Sequence, residues 1–386
     1  MPNYPILSRK DVLKILAAPL LPVRLQANEV DPPVIPGKRP MIVHNEYPED
    51  LETPLEAFGS WLTPNDAFFV RQHLPRPQVD ASAWTLEVAG RVSKPLRLSL
   101  ADLRALPQQT VPATLECTGN GRRFYTPRVL GLPWGKGGIG NAEWRGPRLA
   151  DILAAAGVSS GELFVDADGA DRGLAKTPDF VRSIPLSKAL HEATLVALQM
   201  NGAPLPEIHG GPMRLVIPGW NGANWVKWVR KLMVVEQPHS GFYMNPAYKY
   251  PRYTPKPGTA VKPEDLAALE AMPVKSFFYA PQSGSVHAGG RIELAGVAWA
   301  GEQRVARVEI SADRGRSWRE ATLGREDFPS AWRLWQYEWS PSNRGFYVLM
   351  CRATDRAGNV QPMEAAWNPS GYLWNSVDRL EVIVEG

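Results

Sequence analysis

Residues 249–266, KYPRYTPKPGTAVKPEDL, divide the sequence into two parts with different patterns. Pro251, Pro255, Pro257 and Pro263 each fix φ and remove a backbone donor, so the stretch is predicted to be extended and to mark a boundary. We take the linker as 251–272. On its C-terminal side the pattern is almost purely that of strands. In VARVEIS (305–311), Ala306, Val308 and Ile310 are expected to face a core and Arg307, Glu309 and Ser311 to face solvent. In DRLEVIVEG (378–386), Leu380, Val382 and Val384 repeat the period of two, and turn signals recur at ADRGRS (312–317) and TDRAGN (354–359). On the N-terminal side, short apolar runs bounded by Gly and Pro read as strands: FFVRQH (68–73), WTLEVAG (84–90), TVPATLECTG (110–119), GELFVDADGAD (161–171), GPMRLVIPGW (211–220) and VKWVRKLMVVE (226–236). Between them, SLADLRAL (99–106), RLADILAAAG (148–157) and PLSKALHEA (185–193) carry helix-start residues, and the second closes on Gly157.

Strands and short helices that mix without strict alternation predict an α+β domain over 28–250, preceded by an arm at 1–27. The alternating strands of 273–386 predict an all-β sandwich of immunoglobulin-like architecture. The 386 residues fit two domains, and the 37 prolines, nearly double the ~5% average, suit a loop-rich β protein. Fourteen tryptophans favour a large packed core. A net charge of +4 without a Lys/Arg run of five excludes the concentrated basic stripe of nucleic-acid binding. No stretch of 18 apolar residues predicts a membrane span. The arm SRKDVLKILAAPLLPVRL (8–25) places basic residues before a short apolar run, but Asp11 and Lys14 interrupt it and no twin-Arg pair is present, so it reads as a short amphipathic helix. The expected compartment is cytoplasmic if the chain is complete as numbered and periplasmic if a signal has been removed.

Three segments carry candidate chemistry. The first is TLECTGNGRRFY (114–125). A strand ends at Cys117, Gly119 and Gly121 bend the chain, and Arg122 and Arg123 supply cations that lower a thiol pKa. A thiolate there serves as a soft metal ligand or a nucleophile. Cys351, 234 residues away, lies in a predicted sandwich strand and is expected to be core, and no disulfide framework, zinc knuckle or C-x-x-C-H haem attachment is possible. The second segment is NDAFFVRQHLPRP (65–77), where Arg71 and His73 share one side of a strand. Alone they fit a surface arginine and a capping histidine better than a site. In the third, IHGGPMRLVIPGWNGANWVKWV (208–229), Gly210 and Gly211 permit close approach to a ligand, and His209, Arg214 and Lys227 suit anionic groups. Alone this fits a buried strand with a snorkelling arginine.

Taken together, the blocks FFVRQHLPRP (68–77), ECTGNGRR (116–123), GNAEWRGPRLADIL (140–153), MNGAPLPEIHGGPMRLVIPGWNGANWVKW (200–228), AYKYP (247–251), AWRLWQ (331–336) and NVQP…WNPSGY (359–372) resemble the sulfite oxidase family of molybdenum-cofactor oxidoreductases, in its bacterial haem-free form. The resemblance runs from about Pro40 to the C-terminus. It implies a molybdopterin-binding domain followed by a dimerisation domain, hence a homodimer. It implies that Cys117 is the one protein ligand to molybdenum, that Arg71 is the cation of the substrate pocket and that Tyr248 stands beside the metal. By the same resemblance Phe69, Val70, Arg71, Gln72, His73, Asp171, His209, Arg214, Trp225, Val226 and Lys227 hold the pterin and its phosphate. The implied reaction takes sulfite and water to sulfate, two electrons and two protons. With no haem motif or cytochrome b5-like domain in the chain, the electrons are expected to leave to an external acceptor such as cytochrome c. One departure bears on the substrate. Animal and plant members carry an Arg before the Gly of the WN…G block, where this chain has Ser370. The missing cation is expected from Arg122 or Arg123, with Arg123 the one assigned to catalysis. The same departure keeps open a sulfane dehydrogenase or another oxygen-atom-transfer enzyme on this scaffold. Nitrate reductase fits less well without an attached haem or flavin module. A binding protein that has lost catalysis is disfavoured by the retained Cys117, Arg71 and Tyr248.

Overall fold

The strand expected before Cys117 forms as Gln108–Glu116 and pairs antiparallel with Ile139–Pro147, from Gln108 opposite Pro147 to Glu116 opposite Ile139. In this computed structural model, which describes residues 34–174 and 176–385, the pair belongs to a four-stranded sheet with the short strands Gln199–Met200 and Ala203–Pro204. The expected arm at 1–27 lies outside the described residues. A second sheet of five strands has the order Leu96–Ser99, Thr85–Gly90, Lys231–Val235, Phe164–Asp168, Val181–Pro185. Lys231–Val235 runs parallel to Thr85–Gly90 and antiparallel to Phe164–Asp168, so the sheet is mixed, as the absence of strict alternation predicts.

The three expected helices form. Leu100–Ala105 opens with a capping box in which the Ser99 hydroxyl accepts from the Asp102 backbone N–H at 3.2 Å and the Asp102 carboxylate accepts from the Ser99 N–H at 2.8 Å. Leu149–Ala156 ends on Gly157 at φ 65° and buries Leu149, Ile152, Leu153 and Ala156. The third is one turn only, Leu186–Ala189. FFVRQH is not a regular strand. Val70 alone bridges, to Leu51, within an otherwise irregular stretch.

The C-terminal part is a two-sheet sandwich. One sheet orders Lys275–Ala280, Ile292–Trp299, Arg333–Trp339 and Thr322–Leu323, and the other Ser285–His287, Asp378–Val384, Gly345–Asp355, Val305–Ser311 and Arg319–Glu320. Phe278, Leu294 and Trp335 of the first meet Ile310, Leu349, Cys351 and Val382 of the second in one buried cluster. Asp378–Val384 alternates buried and exposed throughout, as expected. Val305–Ser311 does not. A bulge between Val305 and Arg307 shifts its phase, so Val305, Val308 and Ile310 are buried and Ala306 is exposed. Ser311, expected outside, is buried with its hydroxyl donating to Asp313 at 2.8 Å.

The proline-rich stretch is more structured than an extended linker. Lys249–Pro251 and Leu266–Ala268 pair antiparallel, and Asn221 of the preceding part donates from its backbone N–H to the Glu270 carbonyl at 2.8 Å. A third buried cluster joins both parts, with Phe58 and Ile139 packed against Phe277, Val297, Trp299 and Trp332. Seven tryptophans, among them Trp144, Trp225, Trp299 and Trp335, are fully buried. No helix among the described residues is long and apolar enough to cross a membrane.

Candidate active site

Cys117 follows the last residue of strand Gln108–Glu116, where the chain leaves the sheet in tight turns. The Cys117 N–H donates to the Gly138 carbonyl at 2.8 Å, and the Cys117 carbonyl accepts from the Asn120 N–H at 2.8 Å. Gly121 sits at φ 87°, and a Cβ there would lie 2.6 Å from the Trp374 ring, so glycine is required at this point. Cys117 is half-buried and free. Its thiol faces two adjoining cavities, and Arg71, His73 and Tyr248 line both of them with it. Burial raises the Cys117 pKa, opposed by Arg71 and Arg122.

The deeper cavity gathers Phe69, Val70, Arg71, Gln72, His73, Asp171, His209, Arg214, Trp225 and Lys227, nearly the whole set expected to hold a cofactor. The exception is Val226, which is buried behind the lining with its carbonyl accepting from the Leu215 N–H at 2.8 Å. Several polar atoms around this cavity are buried without a partner: both amide heteroatoms of Gln72, the Thr118 hydroxyl, Arg214 Nε and Lys227 Nζ. Buried polar groups are ordinarily satisfied, so these unpaired groups, all of them donors except the Gln72 amide oxygen, fit a polar, anionic ligand. Burial lowers the Arg214 pKa to about 9, and burial together with Arg214 lowers that of Lys227. Burial raises that of Asp171. These shifts describe a pocket of desolvated cations, which a phosphate would stabilise. Gly210, expected to approach a ligand, instead makes room for the Lys227 stem, whose Cβ would lie 2.8 Å from a Cβ at that glycine.

Lys38 also reaches this region and carries no signal in the sequence. Its ammonium donates to the carbonyls of Asn65 (2.7 Å) and Phe68 (2.6 Å) and meets His209 Nε2 at 2.7 Å. Burial lowers the Lys38 pKa to about 7, and burial with Lys38 holds that of His209 well below the usual imidazole range.

The outer cleft contains the candidate substrate groups. Arg71 donates to the buried Asp50 carboxylate at 3.0 Å and to the Gln72 carbonyl. Burial opposes its charge, but the coulombic pull of Tyr248 in its ionised form and of Asp50 more than offsets this and raises its pKa. The Tyr248 hydroxyl and His73 Nε2 are hydrogen-bonded to each other, and Tyr248 stacks on Tyr372 with centroids 5.6 Å apart. Burial raises the Tyr248 pKa, while burial, Arg71, Lys227 and Arg182 lower that of His73. Both are therefore uncharged near neutrality. Tyr248 has φ 55°, a conformation that costs a non-glycine residue about 1–2 kcal/mol and is held here by its surroundings.

Of the two adjacent arginines, Arg122 lines the cleft with Cys117 and Ser370. Its Nε donates to the Ser370 carbonyl at 3.1 Å and its Nη1 to the Leu132 carbonyl at 3.0 Å. Glycines at 119, 131 and 371 leave the space it occupies. Arg123, expected in the site, points away. It lines a different cleft with Lys136, Trp374 and Asp378, its guanidinium 5.9 Å from the Phe124 ring centre. Asp50, Thr118 and Lys38 thus complete a site that sequence reasoning assigned without them, and of the two arginines it offered as the extra cation, Arg122 is the one that lines the cleft.

Comparison with known proteins agrees with this arrangement. The oxidoreductase molybdopterin binding domain family matches residues 73–243, and the Mo-co oxidoreductase dimerisation domain family matches residues 267–385. The mitochondrial sulfite oxidase of Mus musculus is 36% identical over 359 residues, which cover 89% of this chain and 65% of that one. The sulfite oxidase of Gallus gallus is 38% identical over 362 residues, covering 89% and 77%. That of Arabidopsis thaliana is 32% identical over 377 residues, covering 89% and 94%. The chain therefore spans about two thirds of the mouse enzyme's length, while it matches nearly the whole plant enzyme. Among solved structures, the sulfane dehydrogenase SoxCD from Paracoccus pantotrophus superposes with a TM-score of 0.77 at 27% identity, covering 95% of both chains. A cysteine facing a ring of unpaired buried donors, within a fold and sequence shared with these enzymes, places the chain in the sulfite oxidase family of molybdenum-cofactor oxidoreductases.

Proposed function

We propose that this molybdenum-dependent oxidoreductase converts sulfite to sulfate, releasing two electrons and two protons per sulfite and water consumed, and passes the electrons to an external acceptor such as cytochrome c. The observation that carries the reading is the convergence of Cys117, Arg71, Arg122 and Tyr248 on one cleft beside the cavity of unpaired donors. When bound, the molybdenum cofactor supplies the two-electron, oxygen-atom-transfer chemistry. The chain supplies placement and charge. Cys117 is the thiolate ligand to the metal, a soft donor suited to it. Gln72, Thr118, His209, Arg214 and Lys227 hold the pterin and its phosphate. Phe69, Val70 and Trp225 wall the cavity.

Arg71 and Arg122 bind the sulfite oxygens through charge-assisted hydrogen bonds. Asp50 fixes the direction of Arg71, and two carbonyls fix that of Arg122. Tyr248, uncharged and hydrogen-bonded to His73, orients the anion without adding negative charge to the cleft. The test is sulfite-dependent reduction of cytochrome c by purified, molybdenum-loaded enzyme, with Cys117→Ser as the control. Activity in wild type that is lost in the variant supports the reading.

A second reading, oxidation of a sulfane sulfur carried on a larger group, is supported by the apolar mouth of the cleft, where Leu130 is 91% exposed and Phe242 48%. The likeness to SoxCD supports it as well. It predicts turnover of a sulfane substrate in the same assay without turnover of sulfite. The dimerisation-domain match supports a homodimer. Separate cores within 28–250 and 273–386 support the two-domain division, and parallel pairing of Ser285–His287 with Asp378–Val384 supports an immunoglobulin-like reading of the sandwich.

A further inference from the structure

The residue before Cys117 is held from the other domain. Glu116 is buried, and its carboxylate accepts three hydrogen bonds: from Lys275 Nζ at 2.9 Å, from Asn120 Nδ2 at 2.9 Å and from Trp299 Nε1 at 2.9 Å. Lys275 and Trp299 both belong to the four-stranded sheet of the sandwich, 159 and 183 residues from Glu116. Lys275 is itself 1% exposed, and its ammonium lies 5.4 Å and 5.1 Å from the ring centres of Trp299 and Trp374. The far side of the cysteine turn is gripped as well. Asn120, bonded to Glu116, accepts at Oδ1 from the Gly138 N–H at 3.0 Å. The Leu373 N–H donates to the Thr118 carbonyl at 3.0 Å.

A buried carboxylate is costly unless paired and fully hydrogen-bonded. Here the pairing cation comes from the sandwich domain, which lines none of the deeper cavity, and its partner is covalently adjacent to the thiol. Glu116 and Asn120 bracket Cys117, so whatever fixes these two fixes the direction of the sulfur between them. We propose that Lys275 is a positioning residue for Cys117: the sandwich domain, through the Lys275–Glu116 pair, sets the orientation in which the thiolate meets the metal. The proposal rests on Cys117 being the metal ligand and gives the sandwich domain, which already lends Ser370 and Tyr372 to the outer cleft, a part in aiming the thiolate.

The experiment uses the molybdenum-loaded enzyme and reads molybdenum content, the thiolate-to-metal charge-transfer absorption and kcat/KM. Lys275→Met leaves Glu116 buried and unpaired. It is expected to retain molybdenum, shift the charge-transfer band and lower kcat/KM at least tenfold. Combining Lys275→Gln with Glu116→Gln keeps a neutral hydrogen-bonded pair and is expected to return the band to its wild-type position and kcat/KM to within about threefold. A purely structural role would lower Tm and leave the band in place, so a wild-type band in Lys275→Met overturns the proposal. If Lys275→Met does not fold, Trp299→Phe removes the indole donor to Glu116 while keeping an aromatic ring beside Lys275. A shifted band then supports the proposal and an unchanged band overturns it. A Cys117→Ser enzyme that keeps the wild-type band shows instead that Cys117 is not the ligand, and the proposal falls with that reading.

Discussion

Arg71 donates from Nη1 to the Asp50 carboxylate at 3.0 Å, and Asp50 is only 2% exposed, so the guanidinium beside Cys117 is aimed by a buried anion. The pairing holds Arg71 in one direction while leaving part of its charge for the cleft. Arg71→Gln is expected to raise KM for sulfite at least tenfold, equivalent to about 1.4 kcal/mol of lost binding. Steady-state kinetics check this. An unchanged KM would mean that Arg71 serves only the deeper cavity.

Arg122 lines the cleft with Cys117, and its Nε donates to the backbone carbonyl of Ser370 itself. A charge-assisted hydrogen bond to an anion contributes about 1.5–3 kcal/mol, so Arg122→Ala is expected to weaken sulfite binding by roughly 10–100-fold. Arg123→Ala, altering a residue in another cleft, is expected to change KM less than about twofold. Ser370→Arg is expected to bring no improvement, because the Arg122 side chain already fills the adjoining space. A marked gain in sulfite affinity for Ser370→Arg would show that the cleft lacks a cation.

The choice between Arg122 and Arg123 shows where sequence reading stops. Both lie on the short 3₁₀ turn Arg122–Phe124, where successive side chains project about 120° apart, so neighbours in sequence face different clefts. The cavity residues were legible because they sit in compact sequence blocks, and the strand before Cys117 formed where its apolar run indicates. Asp50, Lys38 and Lys275 were not legible. Their partners lie 21, 171 and 159 residues away, and no local pattern marks a contact of that range. The same holds for Ala306, exposed because one bulge breaks an alternation that its own sequence continues.

Lys227 offers a direct measure of how the cofactor is held. Its Nζ is buried without a hydrogen-bond partner and lies 4.3 Å from the Trp228 ring centre. Lys227→Met keeps the length of the side chain and removes the charge. The variant is expected to fold, because no protein hydrogen bond is lost, and to retain less than about a tenth of the wild-type molybdenum content. Elemental analysis of the purified variant decides the point, and full molybdenum content would place the phosphate elsewhere.

The same cations predict how loading alters the pH dependence of stability. In the cofactor-free protein burial lowers the Lys38 pKa to about 7 and also lowers that of Lys227, against about 10.4 in the unfolded chain. Between about pH 7 and 10 the unfolded state then binds more protons than the folded one, so unfolding free energy rises with pH across this window. Put the other way, this stability is fully present above the unfolded-state pKa and is lost as pH falls toward the folded value. A phosphate held against Lys227 favours its charged form and raises its folded pKa, which removes the Lys227 share of the slope and leaves that of Lys38. The loaded enzyme should therefore gain less stability than the cofactor-free protein on going from pH 7 to pH 9. The expected observation is a Tm difference between the two forms that narrows over that interval, measured by calorimetry at matched ionic strength. A difference that stays constant or widens would mean that the anion does not sit against Lys227.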